Sequence, residues 1–478
     1  MLGACVYFVA VGPPPPPGFI RDEASVAYNA YTLSRNLHDQ NGALLPMYFV
    51  SFGDYKSPIF VYVLAAVFRV TGPSKAAALA TASTVVLLAI LLLGLLAWRL
   101  TRSVFVTVAT IVAGTLTPWL FELGRDAYDT TIEPLLIALV LVSLEWARRS
   151  MRGAFVRALP VGLALAGLAY SYAAGRLLSP LWTAALIVFA GRGRWRWLLS
   201  TWGVYVLSMV PMATYYFRHG GALSARYQST TFVTAGMSKA TIVGDFLSNY
   251  VRDGDLGHWV VSGDPRPYIH VWGAPEFYAA ILLLAAVGVV AAFRRDRGDR
   301  FWLWIVVALV LSPAPAAITD QRYYSLRLLP VPMLLLTLAI PGLDLFWRAA
   351  CRDWPVRFVL GAVAALLALQ FTQWIQNYDK YNGGRALLFE EGVPGLLATA
   401  FGNGAPVYIN RDDIYAQTHA LWYAVTHGIP RSRVAILPGD SGAPIGAMQF
   451  GRLVPCEPSC MQLETYSDYW IARVTKPS

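Results

Sequence analysis

The sequence predicts a polytopic α-helical membrane protein with a small C-terminal α/β domain. Hydrophobic residues make up 56% of the chain and charged residues only 14%, whereas water-soluble globular proteins carry about 25% charged residues. The mean hydropathy is correspondingly high, at +0.49. The apolar residues are also gathered into stretches close to the about 20 residues that a helix needs to cross a hydrocarbon layer. These observations exclude a soluble globular protein.

Ten apolar stretches are predicted to span the membrane. Eight of them cover residues 75–98, 103–121, 158–174, 198–217, 275–293, 301–317, 328–347 and 357–376, and two shorter ones cover 131–147 and 176–190. The apolar run from Ser57 to Gly72 is short, so we expect a juxtamembrane or re-entrant helix there. The N-terminal MLGACVYFVAVG runs into Pro13 to Pro17, which cannot continue a helix. It is either a truncated first helix or a signal-like remnant.

Arginine-rich turns occur at every second connection between these stretches. They lie at residues 98–102, 147–157, 191–197, 293–300 and 347–357. Positive charge marks cytoplasmic loops, so the remaining connections are expected on the extracytoplasmic side. These are residues 19–74, 122–130, 218–274, 318–327 and 377–478. The net charge of +10 is therefore largely a topology signal, and no nucleic-acid partner is predicted.

The chain divides into a membrane domain, residues 1–376, and a C-terminal extracytoplasmic domain, residues 377–478. In the second domain, β-type patterns predict strands at residues 406–410, 433–437 and 469–474. Between the first two lies a helical pattern that runs from Ile414 to His427 and is followed by Gly428. This order predicts a small α/β module.

Cysteine and arginine usage add two expectations. Cys456 and Cys460, in CEPSC, could close a small disulfide loop on an oxidising side of the membrane. A zinc site would need more thiolate or imidazole ligands than the sequence offers nearby. The preference for arginine over lysine, with abundant alanine, suggests a GC-rich bacterial source.

Two polar runs near the N-terminus interrupt the apolar sequence, RDEASVAYNAY (Arg21 to Tyr31) and FGDYKSP (Phe52 to Pro58). Membrane proteins keep ionised groups next to hydrocarbon-facing segments where those groups have a task or a partner. Asp22 precedes a helical pattern, which favours a plain helix N-cap, although a helix start is also a rigid mount for a carboxylate. Lys56 is expected at headgroup depth, where it binds either lipid phosphates in general or one in particular.

Two further polar clusters follow apolar stretches on the same predicted side, ELGRDAYDTTIEP (Glu122 to Pro134) and ITDQRYYSLR (Ile318 to Arg327). Each alone is typical of tyrosine and arginine anchors at the membrane interface. The long loop 218–274 contains His258 and His270, but a lone loop histidine is more often an ordinary hydrogen-bonded side chain than a metal ligand. No metal site is assigned.

Several of these motifs occur together in a recognisable order. They are Asp22-Glu23, Gly53 to Pro58, Thr117 to Asp129, Tyr170 to Arg176, Gly263 to Gly273 and Ser312 to Arg327. In combination they resemble the GT-C superfamily of polyprenyl-phosphate-sugar-dependent glycosyltransferases, in particular protein O-mannosyltransferases, lipid A aminoarabinose transferases and related bacterial mannosyltransferases. The resemblance covers residues 19–345. It implies a GT-C-like bundle of about 11 transmembrane helices plus juxtamembrane helices, with an extracytoplasmic active site in a bacterial inner membrane.

The resemblance also implies roles for individual residues. Asp22, in the acidic pair with Glu23, matches the family's acidic position and would be the general base of an inverting displacement. Cations would stabilise the leaving lipid phosphate, and the candidates are Lys56, Arg327, Arg322 and Arg125. The candidate substrate-binding residues are Asp54, Tyr55, Asp126, His270 and Asp264. A divalent metal cofactor stays open, because family members differ in metal use.

The function that the resemblance implies is transfer of a sugar, mannose or a pentose, from a polyprenyl-phosphate donor to a hydroxyl group of a lipid, glycan or protein acceptor. The main alternative is a transporter or flippase of lipid-linked sugars, which would place ionisable groups near the bilayer midplane. The long apolar stretches are nearly free of charge in their middles, and this favours an enzyme at the membrane face. A third alternative is a non-catalytic scaffold whose C-terminal domain binds partners.

Overall fold

A computed structural model of the protein describes Tyr7 and residues 16–150, 153–295, 299–321, 323–438, 442–453 and 459–476. Helix α1 (Arg21–Asn36) and helix α2 (Pro58–Thr71) lie in the first loop. Each of the ten predicted apolar stretches then forms a helix. These are α3 (Lys75–Thr101), α4 (Val104–Leu116), α6 (Glu133–Arg148), α7 (Ala154–Ser171), α8 (Ala173–Ala190), α9 (Trp195–Arg218), α12 (Ala279–Arg295), α13 (Arg300–Leu311), α15 (Pro330–Ala350) and α16 (Trp354–Asn382). Short helices between them are α5 (Pro118–Leu123), α10 (Ala225–Thr230), α11 (Lys239–Asp253) and α14 (Ala314–Ala317).

Within the described residues, seven helical segments are long and apolar enough to cross a membrane. They are Lys75–Thr101, Asp129–Arg148, Ala154–Ser171, Ala173–Ala190, Arg300–Ala317, Pro330–Ala350 and Trp354–Arg385. The chain is therefore a polytopic membrane protein, while the number of about 11 spans stays a prediction. The predicted stretch 103–121 is divided, because Thr117 is extended (φ −66°, ψ 119°) in front of Pro118.

A small β-hairpin lies between α1 and α2. Strands β1 (Phe49–Ser51) and β2 (Asp54–Lys56) pair antiparallel, with Ser51 opposite Asp54. The two residues of the turn, Phe52 and Gly53, both have positive φ, at 55° and 72°. This is the backbone of a type I′ turn, whose twist matches the right-handed twist of paired strands. Strand β2 ends at Lys56, and helix α2 begins two residues later, at Pro58.

The C-terminal region contains α17 (Val393–Phe401), β3 (Val407–Asn410), α18 (Ile414–Thr426), β4 (Val434–Leu437), β5 (Met448–Arg452), β6 (Cys460–Tyr466) and β7 (Tyr469–Val474). Its strands form one five-stranded sheet with the order β4-β3-β5-β7-β6. Strand β3 is parallel to β4 and β5, and β7 is antiparallel to β5 and β6. The predicted strands β3, β4 and β7 and helix α18 are confirmed. Strands β5 and β6 were not predicted.

Two details of the C-terminal region bear on the sequence predictions. Helix α16 continues to Asn382, beyond the boundary at residue 376 that the apolar stretch suggested. Cys460 is disulfide-bonded, whereas Cys456, its predicted partner, lies outside the described residues. The disulfide between Cys456 and Cys460 therefore stays a prediction.

Helices α12 and α15 approach each other closely at two glycines. A Cβ atom on Gly288 would lie 1.8 Å from the Leu338 carbonyl oxygen, and one on Gly342 would lie 2.3 Å from the Leu284 carbonyl oxygen. No side chain fits at such distances unless the helices separate, so glycine is required on both sides of this contact.

We expect Gly288→Ala to lower the free energy of unfolding by about 1–3 kcal/mol, because the added methyl group overpacks the helix contact. Gly203→Ala is the matched control, since Gly203 is also helical and nothing lies within 4 Å of its Cβ position. Thermal unfolding of both variants in detergent measures the difference. Equal unfolding temperatures for the two variants would contradict the close approach of α12 and α15 at Gly288.

Candidate active site

A cavity forms where the first loop meets four connections of the helix bundle. The connections join α5 to α6, α7 to α8, α9 to α12 and α14 to α15. The lining residues are Ile20, Asp22, Asp54, Tyr55, Lys56, Tyr128, Asp129, Thr130, Tyr172, Ala173, Arg226, Tyr268, Tyr324 and Leu326. Charged side chains and tyrosines dominate this set, so the cavity offers several hydrogen-bond donors and both signs of charge.

The cavity contains an ion pair between Asp22 and Lys56. Asp22 Oδ1 lies 2.5 Å from Lys56 Nζ, and the Asp22 side chain is 38% exposed. Helix α1 begins at Arg21 with Ile20 as its N-cap, so Asp22 is the second helical residue and not the N-cap. Its carboxylate is thereby directed to the cavity and stays accessible.

The pKa values of this pair move apart. Burial raises the pKa of Asp22, but Lys56, Arg21 and Arg226 together outweigh burial and hold this pKa below its ordinary value. For Lys56, burial lowers the pKa, but Asp22, Asp129 and Asp54 together raise it above its ordinary value. Both groups are therefore charged at neutral pH.

Arg226 is a second cation in the cavity wall. It lies on the short helix α10, and its Nη1 atom is 3.5 Å from Asp54 Oδ2. Sequence reasoning missed Arg226 as a site residue, because the loop 218–274 contains many charged residues and their spacing does not distinguish one of them. Only the unusual length of that loop pointed to a function.

Two further side chains hold the backbone next to Lys56. Asp129 Oδ2 accepts a hydrogen bond from the Ser57 backbone N–H at 2.9 Å. Arg176 Nη2 donates to the Tyr55 carbonyl oxygen at 3.2 Å. The β2 strand is thus tied to two separate parts of the bundle, and this restricts where Lys56 can lie.

Glu23 lies away from the cavity and connects two segments of backbone. It is 1% exposed. Its Oε2 atom accepts the Ile20 N–H at 3.0 Å, and its Oε1 atom accepts the Ala127 N–H at 2.8 Å. The first bond is the Glu half of a capping box. Burial raises the pKa of Glu23 to about 7, against the opposing effect of these N–H donors.

Asp264 and His270 also have structural partners outside the cavity. Asp264 accepts hydrogen bonds from Arg266 and, at 2.8 Å, from the Ser325 backbone N–H. His270 Nδ1 lies 2.9 Å from Glu122 Oε1, and its Nε2 lies 2.8 Å from the Ala274 carbonyl oxygen. Burial lowers the pKa of His270, but Glu122, Glu276 and the Ala274 carbonyl oxygen together raise it to about 9.

Some of the residues predicted as site residues line the cavity, and others lie outside it. Arg327 donates to Thr319 Oγ1 at 2.6 Å, and Arg125 lies over the Phe121 ring, 4.5 Å from its centroid. Four predicted residues line the cavity, namely Asp22, Asp54, Tyr55 and Lys56. The residues that do not line it are Glu23, Arg125, Asp126, Asp264, His270 and Arg327. Arg322 lies outside the described residues.

Over the described ranges, no group of three or more histidine, cysteine, aspartate or glutamate side chains has the proximity that metal binding requires.

Comparison with known proteins finds similarity at the level of structure. No protein-family model matches the sequence, and no curated protein matches it. The structure is similar to that of ArnT from Cupriavidus metallidurans bound to undecaprenyl phosphate, with a TM-score of 0.63, 14% identity, and coverage of 98% of this chain and 96% of ArnT.

The structure is also similar to two structures of an oligosaccharyltransferase from Archaeoglobus fulgidus. The apo form gives a TM-score of 0.56 at 12% identity, covering 92% of this chain and 63% of the other. The form of AglB in complex with an inhibitory peptide and a dolichol-phosphate gives 0.52 at 11% identity, covering 89% and 61%. This chain therefore shares its fold with ArnT and with the Archaeoglobus fulgidus oligosaccharyltransferase.

Proposed function

We propose that the protein is an inverting glycosyltransferase that moves a sugar from a polyprenyl-phosphate donor to an acceptor hydroxyl group in the Asp22–Lys56 cavity. The observation that carries the proposal is the 2.5 Å pair itself, which sets an accessible carboxylate beside an ammonium group. Two proteins of the same fold provide support, since their structures contain undecaprenyl phosphate and dolichol-phosphate.

In this reaction Asp22 acts as general base. Its carboxylate takes the proton of the acceptor hydroxyl while that oxygen attacks the anomeric carbon from the face opposite the phosphate. The bond between the anomeric carbon and the phosphate oxygen breaks, and the polyprenyl phosphate leaves with the electron pair. Because the pKa of Asp22 is below its ordinary value, the proton is transferred late in the displacement. Stabilisation of the leaving group therefore carries much of the barrier.

Lys56 and Arg226 supply that stabilisation. A cation about 4 Å from the phosphate, at an effective dielectric constant of about 20, contributes about 4 kcal/mol. Half of that, present only in the transition state, accelerates the reaction about 30-fold. Lys56 is paired with Asp22, and Arg226 is paired with Asp54. When the donor binds, its phosphate replaces a carboxylate as the partner of each cation.

The finer assignment follows the family resemblance. Mannose or a pentose is the sugar, the acceptor is a lipid, glycan or protein, and the cavity and the C-terminal region lie on the extracytoplasmic side of a bacterial inner membrane. The arginine-rich turns of the sequence support this orientation.

Transfer is tested with the purified protein in detergent. The donors are polyprenyl-phosphate-linked mannose and arabinose with a radiolabelled sugar, and the acceptor is an envelope extract from cells that lack the protein. Label is expected to move to the extract with release of polyprenyl phosphate, and mass spectrometry of envelope glycans identifies the product. Movement of intact donor across vesicle membranes without transfer would instead identify a flippase.

A further inference from the structure

A buried carboxylate in the C-terminal region binds the first residue of helix α1. Glu390 Oε2 accepts the Arg21 backbone N–H at 2.7 Å, and Glu390 Oε1 accepts Arg21 Nη1 at 2.7 Å. His419 Nε2 lies 2.7 Å from Oε2, and the Tyr469 hydroxyl donates to Oε1 at 3.1 Å. Glu390 is only 4% exposed, so its carboxylate is shielded from solvent.

The contact supplies what α1 lacks in its own sequence. The first backbone N–H groups of a helix have no partner within the helix, and a polar N-cap side chain usually accepts one of them. The N-cap here is Ile20, which has no polar side chain. Glu390, 369 positions away, accepts the N–H of Arg21 instead, and its negative charge lies at the positive end of the helix dipole.

The backbone around Glu390 shows how tightly this contact is built. Glu390 has φ 56°, in the left-handed region that non-glycine residues rarely adopt. Gly18, shortly before α1, passes so near that a Cβ atom there would lie 1.7 Å from the Phe389 carbonyl oxygen. Strained backbone of this kind persists where the surrounding structure requires it.

Tyr415, on α18, joins the same region to the hairpin that carries Lys56. The Arg21 guanidinium lies 4.8 Å from the centroid of the Tyr415 ring. The ring of Phe52, in the hairpin turn, stacks on Tyr415 at 4.7 Å. Arg21, next to Asp22, and Phe52, in the hairpin of Lys56, therefore both contact Tyr415 of the C-terminal region.

We propose that Glu390 and Tyr415 are positioning residues of the transfer reaction, which hold the helix of Asp22 and the hairpin of Lys56 at their catalytic separation. The inference rests on the proposed function. It assigns the C-terminal region a positioning role in catalysis, in addition to its contribution to the stability of the fold. A separate apolar contact holds the C-terminal region against the first loop. In this contact the rings of Phe19 and Phe68 stack on Trp422, with centroid distances of 5.6 and 6.0 Å.

The first test compares Glu390→Gln with Glu391→Gln in the transfer assay. Glu391 is exposed and adjacent in the chain, so its variant is the matched control. We expect Glu390→Gln to lower kcat about 10- to 100-fold, since small displacements of a catalytic group have effects of this size. The KM for the donor is expected to stay within about threefold, because Glu390 does not line the cavity. Glu391→Gln should match the wild type.

The second test uses Tyr415, which is only half-buried, and so does not depend on how well Glu390→Gln folds. Tyr415→Ala removes the ring between Arg21 and Phe52 and should lower kcat, whereas Tyr415→Phe keeps the ring and should restore it. If both Glu390→Gln and Tyr415→Ala had the wild-type kcat, this inference would be overturned, but the proposed function would not. Absence of transfer by the wild-type protein would overturn the proposed function and this inference together.

Discussion

Asp22→Asn is expected to abolish nearly all sugar transfer while the protein stays folded. An amide cannot take the proton of the acceptor hydroxyl, and a positioned general base contributes about 100- to 10,000-fold to a rate. The side chain keeps its size, and it is neither the N-cap of α1 nor fully buried, so we expect thermal stability to change little. Initial rates of transfer from the labelled donor measure the loss.

Asp245→Asn is the matched control for this substitution. Asp245 is an exposed aspartate on α11, outside the cavity, so its amide variant should transfer sugar at the wild-type rate. The wild-type pH profile provides a second check. Because the pKa of Asp22 is lowered, its carboxylate persists as the pH falls, and the acid limb of kcat/KM should lie below about 4, the ordinary pKa of aspartate. An Asp22→Asn variant with unimpaired transfer would rule out the general base.

Lys56→Met is expected to produce the second large loss, a fall in kcat of about 30-fold or more. The substitution keeps an unbranched apolar side chain but removes the charge that stabilises the leaving phosphate. It also removes the strongest of the charges that hold down the pKa of Asp22, so burial then raises this pKa. The acid limb of the pH profile should therefore move to higher pH, and rate measurements over pH would detect both effects.

Lys239→Met is the corresponding control, because Lys239 is exposed at the start of α11 and does not line the cavity. Lys56→Arg retains the charge and should keep more activity than Lys56→Met. If kcat were unchanged in Lys56→Met while the KM for the donor rose, Lys56 would bind the donor equally in ground and transition states. The leaving-group role would then have to be assigned to Arg226.

Much of the fold could be predicted from sequence, because membrane helices follow from apolar length alone. Every predicted stretch became a helix, and the main adjustments occurred at prolines such as Pro118, where local backbone preferences decide the boundary. Strand β6 was missed because it is largely exposed along its length and lacks the apolar alternation of a half-buried strand. Strand β5 contains Gly451, which weakened its strand pattern.

The candidate site was predictable from sequence only where its residues are neighbours along the chain or belong to the family motif. Asp54, Tyr55 and Lys56 lie on one short strand, and Asp22 was found through the family motif. Arg226 could not be found, because folding alone brings it next to Asp54. Sequence also does not show the backbone N–H groups of Ala127 and Ser325, which donate to the carboxylates of Glu23 and Asp264 outside the cavity.

The bond between Glu390 and Arg21 has a consequence for the time course of biosynthesis. Helix α1 leaves the ribosome early, whereas the carboxylate that accepts its first N–H follows 369 residues later. At about 5–20 residues per second this delay is about 20–70 s. Nascent chains that are still being inserted therefore lack this contact at the start of the Asp22 helix. Sugar transfer is expected only when translation is nearly finished.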